Sequence, residues 1–119
     1  PSARALASKI IEFPEVVQRR MPRQLKHFDI KTTVTISNDI VNQHTILDVM
    51  TLDRPGLLAR IGRIFMEAGV ILQNARIATL GERAEDIFFI TDKHQQPISD
   101  PIVCKQLADR LREQLDQLN

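Results

Sequence analysis

Tryptophan and tyrosine are absent from this 119-residue sequence, and phenylalanine, at five residues, is its only aromatic. Few rings are therefore available for stacking on bases. Charges nearly cancel, 16 Lys and Arg against 15 Asp and Glu, for a net charge of +1. No strong field favours nucleic acid or an anionic membrane. No apolar run is long enough to span a bilayer, and no charged-then-apolar leader resembling a signal peptide is seen. The single cysteine, Cys104, excludes an internal disulfide and predicts a reducing, cytoplasmic setting. Cys104 falls in the first turn of a predicted helix, where a thiol pKa can drop. With no His or Lys pairing legible around it, structural filling is its expected role.

What is present is organised around Thr45–Leu58, TILDVMTLDRPGLL. It reads as a strand that runs into Asp53-Arg54-Pro55-Gly56 and turns at once into an amphipathic helix. Pro55 is expected in the helix's first turn, where a missing N–H costs nothing. Gly56, without a Cβ, lets another backbone or a ligand come close. The N–H groups of Gly56, Leu57 and Leu58 are expected to lack helical partners. Together with the helix's partial positive charge they suit a carboxylate, at about 0.3–1 kcal/mol. Asp53 or the Thr51 hydroxyl is the expected partner for an ammonium group.

Before this stretch, residues 2–20 have helical spacing, with Leu6, Ile10 and Val17 near one face and Pro14 interrupting. Arg19, Arg20, Arg23, Lys26 and His27 form a basic stretch. No Gly-rich loop or aromatic platform accompanies it, so a solvated linker is expected rather than a phosphate site. Lys31–Ser37 alternates as a strand, with Val34 and Ile36 on one face. A turn then returns the chain antiparallel through His44–Leu52. There Leu47, Val49 and Thr51 share one face, and Ile46, Asp48 and Met50 the other.

After the turn, Leu57, Leu58, Ile61, Ile64, Phe65 and Ala68 make a broad apolar stripe, ended by Gly69 as a left-handed cap. Val70–Leu80 is the next expected strand, with Ile71, Ala75 and Ile77 on one side. A Gly81-Glu82 turn leads into Arg83–Thr91, which is apolar on both faces. Asp100-Pro101 opens the last helix, whose buried stripe is Leu107, Leu111, Leu115 and Leu118. The order is a helical leader followed by ββαββα. The expected fold class is α+β and ferredoxin-like: a four-stranded antiparallel sheet with helices on one face and one edge strand supplied from the N-terminal side.

At Asp53-Arg54-Pro55-Gly56-Leu57-Leu58 the chain resembles ACT domains, small regulatory modules that usually bind amino acids. Gly69, the run Ala75–Arg83 and the run Asp86–Asp92 extend the resemblance over residues 44–118. The combination is similar to the last ACT repeat in the family of bifunctional uridylyltransferase/uridylyl-removing enzymes, bacterial nitrogen sensors that modify the PII protein. The resemblance implies residues 1–29 as helical leader and linker, the tail of a preceding repeat, and 30–119 as the ACT domain. It implies a piece of a longer enzyme and glutamine, or another amino acid, as ligand. The implied ligand-binding residues are Thr51, Leu52, Asp53, Arg54, Pro55, Gly56, Leu57, Leu58 and Asn74. Where many amino-acid-binding ACT domains carry Asn two residues after the helix-ending Gly, this chain has Ile71. Asn74 is the nearest amide and falls on the opposite strand face.

Catalytic parts of that family are not legible. No two Asp residues stand one position apart, as a Mg²⁺-holding nucleotidyltransferase pair requires. His27, His44 and His94 are each followed by a residue other than Asp. No catalytic residue, metal or cofactor is expected in this fragment, and Mg²⁺ is expected only for the parent. A second reading is an interaction module that pairs with a preceding ACT repeat, a second copy or PII, with Leu72, Ala78 and Leu80 on the open sheet face. RNA binding shares the topology, but Phe88 and Phe89 fall on opposite faces of one strand.

Overall fold

The computed structural model describes residues 30–118. The helical leader and the basic stretch expected within residues 1–29 lie outside the described residues. Seven elements follow in order: β1 (Thr33–Asp39), β2 (His44–Leu52), α1 (Leu57–Ala68), β3 (Ile71–Arg76), β4 (Thr79–Leu80), β5 (Arg83–Thr91) and α2 (Pro101–Gln117). The sheet is antiparallel throughout, in the order β1-β2-β5-β3, with β4 also paired to β5. β1 takes the edge beside β2, as expected of a strand supplied from the N-terminal side. The fold is α+β and ferredoxin-like, with five strands where four were expected.

The fifth strand arises from a break. The expected strand 70–80 divides into β3 and β4 because the β3–β5 register shifts between Leu72 and Asn74, a bulge that leaves Gln73 unpaired. The chain then leaves the ladder at Ile77–Ala78, where the Ala78 N–H donates to Asp86 Oδ1 at 3.2 Å. Ala78 returns its carbonyl to the Glu85 N–H at 2.9 Å. The bulge also reassigns a face. Leu72 lies opposite Ile90, so it sits on the helix side rather than the open face expected for it.

The core lies between the sheet and the two helices. Leu47 and Val49 from β2, Ala84, Phe88 and Ile90 from β5, Leu57, Ile61, Ile64 and Phe65 from α1, and Leu107, Leu111 and Leu115 from α2 form one cluster. Phe65 meets Phe88 edge-on, with ring centroids 5.3 Å apart, a favoured aromatic geometry. The alternation of β2 and the heptad-like leucines of α2 are as the sequence predicts. Leu58 and Ala68 depart from the expected α1 stripe: Leu58 is 49% exposed and Ala68 is exposed as well. At the N-terminal end Leu57 is buried instead, so the buried stripe is Leu57, Ile61, Ile64 and Phe65.

Polar groups fix the connections. Asn38 and Thr45 hold the loop before α2: Asn38 Nδ2 donates to the Ile98 carbonyl at 3.1 Å, and Ile98 N–H donates to Thr45 Oγ1 at 2.8 Å. Asp100 caps α2 by accepting the Ile102 N–H at 2.9 Å, with Pro101 at the first helical position. Cys104 does lie in that first turn. Its thiol is pushed up rather than down, because it is partly buried and the Asp100 carboxylate stands nearby.

Leu111 is fully buried and central. Leu111→Ala is expected to destabilise the domain by about 2–5 kcal/mol. Met66→Ala, on the exposed side of α1, is expected to stay within about 0.5 kcal/mol. Urea denaturation followed by circular dichroism measures both.

Candidate functional site

The junction between β2 and α1 is built around the backbone of Gly56. Its φ of 84° is left-handed, a conformation that costs other residues about 1–2 kcal/mol. A Cβ placed there would meet nothing within 4 Å, so the conformation and not crowding calls for glycine. Pro55 therefore stands before the helix rather than in its first turn. Arg54 to Leu57 forms the turn, closed by Leu57 N–H donating to the Arg54 carbonyl at 3.2 Å. Pro followed by a left-handed Gly is the usual pairing at the centre of such a turn.

This geometry changes which amides are available. Leu57 N–H, expected to be unpaired, is used by the turn. The first helical bond runs from Arg60 N–H to the Gly56 carbonyl at 3.0 Å. The N–H groups of Gly56, Leu58 and Ala59 have no hydrogen-bond partner among the described residues. Ala59 was not legible because the start of the helix could not be fixed from spacing alone. No side chain caps α1 and no acidic residue stands in its first turn. The terminus keeps its partial positive charge.

These amides border a cleft of about 320 Å³, at the small end of the range for small-molecule sites. Asp53, Arg54 and Gly56 through Ala59 line one side. Ile77, from the break between β3 and β4, and Thr79, the first residue of β4, line another, and Ala84 and Asp86 of β5 complete it. Arg54 Nε is buried and has no hydrogen-bond partner among the described residues, a rare condition for a buried donor. Asp53 is exposed, and its N–H is tied to the Glu82 carbonyl at 2.8 Å.

Asp86 is the residue that sequence reasoning missed as part of the site. It is 1% exposed and faces the helices because it lies opposite Val49 in the β2–β5 register. Its Oδ1 accepts the Ala78 N–H, and no hydrogen bond to Oδ2 is found among the described residues. Burial raises its pKa above the ordinary aspartate value. The Ala78 N–H works against that rise, and the Asp53 carboxylate adds to it. The available signal was parity: Asp86 sits between Ala84 and Phe88 on the inward face of β5.

The remaining expected positions are placed as follows. Thr51 is buried, and its hydroxyl is 2.7 Å from the hydroxyl of Thr32. Leu52 is buried in the core, and Pro55 is exposed outside the cleft lining. Asn74 lies opposite Phe89 on the open face of the sheet. There it borders a second, shallower cavity of about 650 Å³ with His44, Ile46, Arg76 and Phe89. The structure thus gathers Asp53, Arg54, Gly56, Leu57 and Leu58 and leaves Asn74 apart from them. Among the described residues no group of three or more His, Cys, Asp or Glu could hold a metal ion, and no helix is long and apolar enough to cross a membrane.

Residues 44–118 match the family described as the ACT domain. The chain belongs to the ACT domain family. This ACT chain is 59% identical over 104 residues to the bifunctional uridylyltransferase/uridylyl-removing enzyme of Pseudomonas fluorescens, covering 87% of this chain and 12% of that enzyme. The enzyme of the same name from Pseudomonas entomophila is also 59% identical, and that of Azotobacter vinelandii 57%, over the same shares. The ACT chain thus spans about 12% of the length of the curated relatives it matches. No solved structure matches it.

A buried carboxylate with a raised pKa favours the folded state most when protonated. Its contribution is full below the unfolded aspartate pKa, about 3.9, and is lost as pH rises through the raised folded value. Asp86→Asn keeps an acceptor for Ala78 and removes the charge. The variant is expected to be more stable than the wild type at pH 7. The difference should shrink toward zero in acid, as measured by denaturation across pH.

Proposed function

We propose that this chain is the amino-acid-sensing module of a bifunctional uridylyltransferase/uridylyl-removing enzyme, and that glutamine is its ligand. Catalysis, its Mg²⁺ and the modification of PII belong to other parts of such a polypeptide, in the cytoplasm. This module is regulatory and not itself an enzyme. The identity to enzymes of that name supports the parentage. The observation that carries the ligand reading is the cleft itself. Unpaired amides of Gly56, Leu58 and Ala59 and the buried Arg54 Nε border it together with the carboxylates of Asp53 and Asp86.

A carboxylate suits the helix start, where it is stabilised by up to about 2 kcal/mol when partly buried. Hydrogen bonds between charged and neutral groups contribute about 1.5–3 kcal/mol each. A sensor of millimolar metabolite needs about 4 kcal/mol in all. The amide terminus and one ammonium contact suffice for that. The open face of the sheet favours a second role beside the first. Ile46, Ile87 and Phe89 are half-buried there, which supports pairing with a preceding ACT repeat or a second copy.

Isothermal titration of the folded chain with glutamine is expected to give saturable heat with a Kd near 1 mM. Absence of heat up to about a hundredfold above that value, about 2.7 kcal/mol weaker than a millimolar sensor, would leave only the pairing role.

A further inference from the structure

We infer that Asp86 is the group that receives the ligand's ammonium, so that the cleft accepts zwitterionic amino acids and rejects carboxylates lacking an α-amino group. The inference rests on the amino-acid-binding reading of the same cleft and adds the residue that decides ligand class.

Thr51, Asp53, Thr79 and Asp86 carry the carboxylates and hydroxyls near the β2–α1 turn, and their surroundings separate them. The Thr79 hydroxyl lines the cleft but is neutral and offers an ammonium no opposite charge. The Thr51 hydroxyl is buried against Thr32, and Thr51 does not line the cleft. Asp53 lines the cleft but is exposed, and an ion pair in water is worth little, about 0–1 kcal/mol. Asp86 lines the cleft, is almost wholly removed from solvent and uses one oxygen on Ala78. Its other oxygen is without a hydrogen bond among the described residues. A charge in that position has lost water, and no cation pairs with it among the described residues. An ammonium brought by the ligand restores the lost interaction, in surroundings where the attraction is less screened than at the surface.

The groups facing Asp86 leave room for this. The turn between β2 and α1 contributes Asp53 and Arg54. Arg54 forms no ion pair with Asp86 among the described residues, and Asp53 adds negative charge. The segment Ile77–Thr79 contributes no titratable side chain, and neither does Val49 across the ladder. On β5 itself, Glu85 lies on the opposite face. The ammonium is therefore met by Asp86, and the exposed Asp53 carboxylate adds only a weak, water-screened attraction. The donors of Gly56, Leu58, Ala59 and Arg54 remain for the carboxylate.

Proton release is a consequence. Asp86 holds its proton to a higher pH than an ordinary aspartate because it is buried. An arriving ammonium stabilises the ionised form, so the proton leaves to buffer as the ligand binds. Glutamine binding should then strengthen as pH rises through the Asp86 titration.

The test uses the folded chain, glutamine and glutaramate, which is glutamine without its α-amino group. Titrations are run at a series of pH values from acid to neutral, each in two buffers of different ionisation enthalpy, so that the titration of Asp86 is crossed wherever it falls. The wild type is expected to bind glutamine at least tenfold more tightly than glutaramate and to release a fraction of a proton with glutamine only. In Asp86→Asn the preference should fall to about twofold or less and the release should vanish, with the fold checked by circular dichroism. If that variant does not fold, the ligand comparison and the proton release in the wild type decide alone. Glutamine binding with no preference over glutaramate and no proton release overturns the role of Asp86 and leaves the sensor reading standing. Absence of glutamine binding overturns both.

Discussion

The pairing of β2 with β5 decides where the other parts of the cleft can sit. Its register sets Val49 against Asp86 and Thr51 against Ala84, so the end of β2 arrives beside the inward carboxylate of β5. A slip of one residue would turn Asp86 to the open face and Glu85 or Ile87 toward the core. That slip is opposed by the buried apolar side chains that alternate along the two strands: Leu47, Val49, Ala84, Phe88 and Ile90 all belong to the core shared with α1 and α2. The hydrophobic pattern therefore holds a charged residue in place. Packing alone does not call for the charge, since a neutral isostere would fill the same space without its desolvation cost.

From that register the chain has only a few residues in which to leave the sheet and start α1. The left-handed backbone of Gly56 makes the reversal. It also sets the supply of donors, because closing the Arg54–Leu57 turn consumes one amide and leaves three others open. The break between β3 and β4 belongs to the same construction. Ala78 leaves the regular ladder to bond Asp86, and Ile77 and Thr79 are thereby brought to the cleft as a wall. Buried carboxylate and strand break are tied together at Ala78, which donates its N–H to Asp86 and accepts the Glu85 N–H, and the helix terminus borders the same cleft.

Much of this was legible in the sequence. The bounds of β2 and β5 follow from β-branched alternation and from the Gly81-Glu82 turn. The α2 stripe follows from its leucine spacing, and Gly69 and Asp100 cap as their types predict. What was not legible has a common physical cause. The division of 70–80 into two strands, the side on which Leu72 falls and the exposure of Leu58 each depend on a partner distant in sequence. So does the position of Pro55, because the helix start is fixed by how the turn closes rather than by residue preference. Asp86 was overlooked as a site residue because attention fell on the motif around Pro55-Gly56, and the inward parity of β5 was used only for its apolar members.

The central claim is that open amides at the start of α1 receive a ligand carboxylate. It is tested most directly by following backbone amide resonances during a glutamine titration of ¹⁵N-labelled protein. The account predicts that Gly56, Leu58 and Ala59 move together and saturate with one dissociation constant, while Leu57, already bonded within the turn, moves least of the four. Saturable shifts confined to Asn74, Arg76 and Phe89 on the open sheet face would contradict it.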